Sequence, residues 1–149
     1  MNIIVSDLQA DDRASWESLF TLYAQFYQMP MTPEVLSVVW SWILDDQNRF
    51  FGKIAKNTQG KGLGIMHFRE MPSPLRGCLV GFVDDIYVKA EYRGQGVINS
   101  IFDSLSLTAI ENGWSFVRWI TAENNYRARA VYDNVSSRSQ WLTYQMNFN

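Results

Sequence analysis

Apolar positions change their period several times along the chain, and each change marks an element. Ile3 to Val5 form a short apolar run that predicts a strand. Asp11-Asp12 stand where a helix would be capped, ahead of Trp16, Leu19, Phe20, Tyr23 and Phe26, which share one helical face. Thr32-Pro33-Glu34 predicts a second helix start. It offers a hydroxyl cap, a Pro where the first N–H has no partner to lose, and an acid at the positive end of the dipole. That helix should run to about Asp45.

Phe50 to Lys56 and Leu63 to Arg69 read as two strands joined by the turn residues Asn57 to Gly62. Pro72 to Gly77 has no periodicity and is expected to be an extended connection into the longest β-like run, Cys78 to Val88. A helical pattern then starts at once, with Val97, Ile98, Ile101, Phe102, Leu105 and Ala109 on one face, and Gly113 ends it. Phe116 to Thr121 predicts a strand, Asn125 to about Val135 a short helix, and Trp141 to Phe148 alternates like a final strand. The expected order is β-α-α-β-β-β-α-β-α-β, an α/β fold on a mixed α+β sheet. One domain over residues 1–149 is the expectation from length.

Composition then removes whole classes of function. With 47% hydrophobic and 15% aromatic residues the chain can fill a core, which excludes a disordered tail. A net charge of -2 gives no field to attract a polyanion, so no nucleic-acid partner is expected. One Cys, Cys78, and one His, His67, exclude an intrachain disulfide and an ordinary His/Cys zinc site, and they fit a reducing cytoplasm. The amino terminus shows no basic segment ahead of an apolar one, and no run approaches the ~20 apolar residues of a membrane span, so neither export nor a membrane partner is expected. The six Trp residues are too scattered for a base-stacking platform.

The informative stretch runs from Asp84 to Asn99, where a strand breaks into a Gly-containing loop and enters an apolar-faced helix. The first N–H groups of a helix lack intrahelical partners and carry roughly half a positive charge, so amides from Gly94 to Asn99 can wrap a pyrophosphate. Gly94 and Gly96 permit unusual φ values and a close backbone approach, and Arg93 can add charge-assisted bonds. The loop lacks the Gly-Lys-Ser/Thr of a Walker A motif and the third Gly of a dinucleotide fingerprint.

Arg93-x-x-Gly96-x-Ile98, following Ile86-Tyr-Val88, resembles the acetyl-CoA loop of the GNAT superfamily of N-acetyltransferases, whose pattern is Gln/Arg-x-x-Gly-x-Gly/Ala. Asn125-Tyr-Arg-Ala128-Arg-Ala-Val-Tyr132 is similar to that superfamily's Asn-x-x-Ala-x-x-x-Tyr helix. Tyr132 to Val135 followed by Trp141 to Tyr144 resembles a branch with small-amine and histone-tail acetyltransferases. The departures are Ile98, where Gly or Ala is usual, and Ala90, where Pro is frequent.

The resemblance implies acetyl-CoA as acetyl donor and an amine acceptor, small-molecule or peptide, attacked directly in a ternary complex. Carried over by position, Ile86, Tyr87, Val88, Arg93, Gly94, Gln95, Gly96, Val97, Ile98, Asn99 and Asn125 are the cofactor-binding residues. Tyr132 is the expected proton donor to the departing sulfur, and Asp84 or Asp85 the expected base. On a regular strand the two acids point to opposite faces, which puts Asp84 on the face of Ile86 and Val88 and lets only one reach the acceptor. No metal is expected. Tyr23, Tyr27, Trp16, Trp40 and Trp42 offer a cage for a cationic amine. A homodimer fits the aromatic surplus and the β-rich carboxyl end. The other readings left open are a non-catalytic acyl-CoA-binding module and a pseudo-enzyme interaction subunit.

Overall fold

The computed structural model describes residues 1–149. Five strands form one sheet in sequence order: β1 (Ile3–Asp7), β2 (Phe50–Asn57), β3 (Gly62–Ser73), β4 (Cys78–Val88) and β5 (Val117–Trp119). The first four are antiparallel neighbours, and β5 joins β4 in parallel. Helices α1 (Arg13–Phe26) and α2 (Pro33–Leu44) cover one face. Helix α3 (Val97–Glu111) covers the other, and α4 (Tyr126–Val135) packs Tyr132 against the same side. No helix is long and apolar enough to cross a membrane.

The expected helical faces are the ones that pack. Trp16 and Leu19 of α1 meet Val39 and Trp40 of α2 over Ile54 and Ile65 of the sheet. On the opposite face Val97, Ile101, Phe102 and Leu105 of α3 close over Leu63, Met66, Phe68 and Val83. The Thr32 hydroxyl accepts from the Val35 amide at 3.2 Å with Pro33 in the first turn, as the cap signature predicts. Gly113 ends α3 with φ of +69°.

Two expectations change. Pro72 is no connector: β3 runs to Ser73 and pairs Pro72 with Leu79. A Pro is tolerated there because β2 begins opposite Arg69, leaving this end of β3 without a second neighbour that needs an N–H. The final strand over Trp141–Phe148 does not form either. Trp141, Leu142, Tyr144, Met146 and Phe148 are 72–88% exposed, and the segment has no paired backbone. An alternating pattern becomes a strand only against a partner edge, and β5 offers three residues instead of the expected six.

Candidate active site

The site is built by two irregularities in β4. The first is a bulge. His67 pairs with Asp85 while Phe68 pairs with Val83, so Asp84 is an extra residue in the ladder. The alternation expected of a regular strand therefore breaks, and Asp84 and Asp85 fall on the same face, that of α1 and α2, where both line one cavity. Ile86 and Val88 pack on the α3 face instead, and Tyr87 returns to the α1 side. The expectation that only one acid reaches the acceptor side, with Asp84 beside Ile86 and Val88, is thus corrected by one inserted residue.

The second irregularity is a splay. β5 pairs with β4 only from Gly81 to Val83, and beyond that the strands part. The Lys89 amide bonds the Leu63 carbonyl of β3 at 3.0 Å, so by alternation Val88 and Ile86 turn their backbone groups to the other side, where β5 has ended. This leaves an open backbone edge inside a mostly apolar cavity of about 230 Å³. Its walls come from α1 (Tyr23, Phe26), from Ile86 to Val88, from the loop and start of α3, and from α4 (Ala128, Tyr132).

The loop between β4 and α3 presents unpaired backbone donors. Gly94 and Gly96 have φ of +74° and +87°, a region in which a side-chain-bearing residue is strained. The first i to i-4 bond of α3 runs from the Ser100 amide to the Gly96 carbonyl at 3.0 Å. The amides of residues 94–99 consequently have no acceptor in the protein, and they sit at the positive end of a 15-residue helix. Arg93 donates through Nε to the Val88 carbonyl at 3.0 Å, which pins the loop to the end of β4.

Of the residues expected to hold a cofactor, Ile86, Tyr87, Val88, Arg93, Gly94, Val97, Ile98 and Asn125 line this cavity. Gln95, Gly96 and Asn99 do not line it, and the Gln95 side chain folds back to donate to the Glu91 carbonyl. Ile98 packs partly buried against the core under α3 as well as bordering the cavity. Asn125 caps α4, accepting from the Ala128 amide at 3.3 Å, and borders the cavity as well. The Tyr132 ring is held edge-on by Phe102 and Trp119 at centroid distances of 6.1 and 5.5 Å. Burial, with a smaller contribution from Tyr27, pushes its phenol up to about 12.

A second cavity, about 420 Å³, opens on the α1/α2 face. Phe20, Trp42 and Phe50 form its aromatic sides, and Asp84, Asp85 and Arg69 are its charged groups. Arg69 Nη2 donates to Asp84 Oδ1 at 2.6 Å. Asp84 Oδ2 is buried and has no partner. Burial raises the Asp84 carboxyl above its ordinary range, against the opposing pull of Arg69. The anticipated aromatic cage divides: Trp16 and Trp40 belong to the core, Tyr23 and Tyr27 to the first cavity, and Trp42 to the second.

A chain of polar contacts stiffens the wall between the cavities. The indole N–H of fully buried Trp16 donates to His67 Nε2 at 2.8 Å. An indole has no lone pair to offer, so Nε2 must accept, and the ring proton resides on Nδ1, which faces Asp85 Oδ2 at 2.9 Å. Tyr23 stands against Asp85 too; burial first, and the Asp85 charge second, raise its phenol. His67 thus bridges the buried indole of α1 and one of the two acids. Cys78 meets only the Ser115 hydroxyl at 3.9 Å and has no base beside it. No cluster of His, Cys, Asp and Glu is arranged to hold a metal ion.

Comparison with known proteins gives this geometry a family. Residues 16–135 match the profile of the acetyltransferase (GNAT) family. A D-amino-acid N-acetyltransferase of Saccharomyces cerevisiae is 26% identical over 146 residues, 97% of this chain and 91% of that protein. A ribosomal-protein-alanine N-acetyltransferase from Brucella melitensis biovar Abortus 2308 superposes with a TM-score of 0.82 at 24% identity, over 99% of this chain and 100% of the other. AAC(6')-Iy, solved with the bisubstrate analogue CoA-S-monomethyl-acetylneamine, gives 0.86 at 14% identity over 100% of each chain, a likeness of fold. The profile spans the splayed β4, the glycine loop and the helix that carries Tyr132, and the chain belongs to the acetyltransferase (GNAT) family.

Proposed function

We propose that this acetyltransferase moves the acetyl group of acetyl-CoA to a small-molecule primary amine by direct attack in a ternary complex. The observation that carries the reading is the row of partnerless amides at residues 94–99 opening beside the part of β4 that no strand pairs on the β5 side. Such a row suits a pyrophosphate, and the edge suits an amide-bearing chain that adds to the sheet as a strand would. Acetyl-CoA supplies the acyl group as a thioester.

Asp85 of the second cavity stands against Tyr23 of the first, so an amine in the second lies next to β4 where the first begins. Asp84, whose carboxylate lines the second cavity, takes the proton from the amine directly or through one water. The C–N bond forms as the C–S bond breaks. The amide at Val88 faces the charge developing on the carbonyl oxygen, and Tyr132 returns a proton to the sulfur. Asp85, tied to His67, orients the incoming ammonium.

Relatives that act on D-amino acids and on thialysine support a small amine as acceptor. A cytoplasmic setting belongs to the same reading, supported by the unpaired Cys78. The test is release of the CoA thiol on mixing the chain with acetyl-CoA and a panel of small primary amines. Release that depends on the amine supports the reading, and its absence across the panel removes it.

Homodimerisation is part of the proposal. The carboxyl segment displays five large apolar side chains that a second copy would cover. Sedimentation at micromolar concentration is expected to give twice the 17.3 kDa chain mass, and truncation after Gln140 to give one chain. A full-length species at the mass of one chain would contradict this part.

A further inference from the structure

Arg69 is not needed for the acetyl transfer just described, and its setting is unusual for a surface arginine. The side chain is half exposed, its guanidinium lies over the Phe82 ring at 5.1 Å, and of its five N–H donors the only one engaged is on Nη2, toward Asp84. Arg69 lines the second cavity together with Trp42 and Phe50, the latter opposite it in the ladder. A cationic receptor and an anionic one thus touch at 2.6 Å, and the anion keeps one buried oxygen unpaired.

Resting on the acetyl-transfer reading above, we infer that Arg69 is the acceptor-specificity residue and that the acceptor is an α-amino carboxylate. The Arg69 fork holds the carboxylate, the Asp84 and Asp85 carboxylates that line the same cavity hold the amine, and the aromatic side chains take an apolar substituent. The adjacency of the two receptors selects the spacing. In an α-amino acid one carbon separates the amine from the carboxylate, so both charges meet their partners side by side. A diamine or basic peptide end would set a second cation against Arg69, a like-charge contact that disfavours it. A simple amine would leave the guanidinium edge without a partner. The transferred group, the bond formed and the proton path are those already given.

The test compares each enantiomer of phenylalanine with phenethylamine, its decarboxylated analogue, as acceptors for the full-length chain and for Arg69→Gln and Arg69→Lys. A charge-assisted pair is worth about 10- to 150-fold. The wild-type kcat/KM for at least one enantiomer is therefore expected to exceed that for phenethylamine by about 10-fold or more. In Arg69→Gln the ratio should fall to near one, with the loss in KM; Arg69→Lys should restore part of it. Calorimetric titration of phenylalanine into CoA-saturated protein gives a readout independent of turnover and should show the same order of affinities.

A wild-type ratio near one, or a ratio that Arg69→Gln leaves unchanged, would overturn the inference, because Arg69 would then only be bracing Asp84. A wild type that neither acetylates nor binds either enantiomer overturns it too. If that protein still releases CoA thiol with phenethylamine, the transfer reading survives; if it does not bind acetyl-CoA, that reading is what has failed.

Discussion

Replacing Tyr132 by Phe is expected to lower kcat by about 10²- to 10⁴-fold, the usual contribution of a positioned proton donor, while acetyl-CoA affinity stays within a few-fold. The substitution isolates one atom. Phe102 and Trp119 hold the ring edge-on and would hold a phenyl ring in the same slot, so packing is preserved and only the hydroxyl is lost. Burial pushes the phenol up to about 12, so the group keeps its proton at every pH at which the fold is assayed. In the proposed reaction this weak acid gives up the proton only as negative charge accumulates on the sulfur. Steady-state kinetics with a separate binding titration check this. Full turnover by the variant would return Tyr132 to the role of a core aromatic.

Asp84→Asn is the second large effect. With the ionised carboxylate as the proposed base, the wild-type rate should climb as pH rises through the Asp84 pKa, which burial has raised above the ordinary carboxylate range. Asn cannot accept the proton, so the variant should lose about 10²- to 10⁴-fold in kcat/KM together with that limb of the pH profile.

Stability should move the other way. A carboxyl with a raised native pKa binds its proton more tightly folded than unfolded. Its contribution is therefore present below the unfolded value and is lost as pH rises through the folded one. Above that window the native state holds a charge that burial disfavours, so Asp84→Asn should melt at or above the wild-type temperature at neutral pH. Lower activity with an undiminished Tm separates lost chemistry from lost fold. An unchanged pH profile would mean that solvent takes the amine proton.

What could be read from the chain ahead of its structure follows from how local each feature is. The glycine loop is local: strand, loop and helix follow one another in sequence, and the positive φ values at Gly94 and Gly96 are a property of glycine itself. The spacing from Asn125 to Tyr132 is local in the same sense, since one helix sets both positions. The bulge at Asp84 is different. It exists only in the register between β3 and β4, and nothing in the period of β4 alone marks it, so the two acids look like residues of opposite faces when they share one.

Arg69 and the Trp16–His67–Asp85 chain were missed for the same reason. Their partners lie 15, 51 and 18 positions away, and no spacing rule joins them. The last strand shows the opposite failure. The alternation from Trp141 to Phe148 is genuine, but alternation describes a face, and a strand also needs an edge to pair with.

The measurement that goes most directly to the central claim is thermal unfolding of the full chain with and without acetyl-CoA. A ligand at about 100-fold over its Kd adds about 2.7 kcal/mol, which for a domain of 149 residues corresponds to a rise in Tm of about 5–10 °C. The cradle at residues 94–99 predicts that rise at submillimolar acetyl-CoA, diminished in Gly96→Val, whose side chain cannot adopt φ of +87° without strain. An unshifted Tm at millimolar acetyl-CoA would contradict the account, because the partnerless amides at the start of α3 would then hold no pyrophosphate.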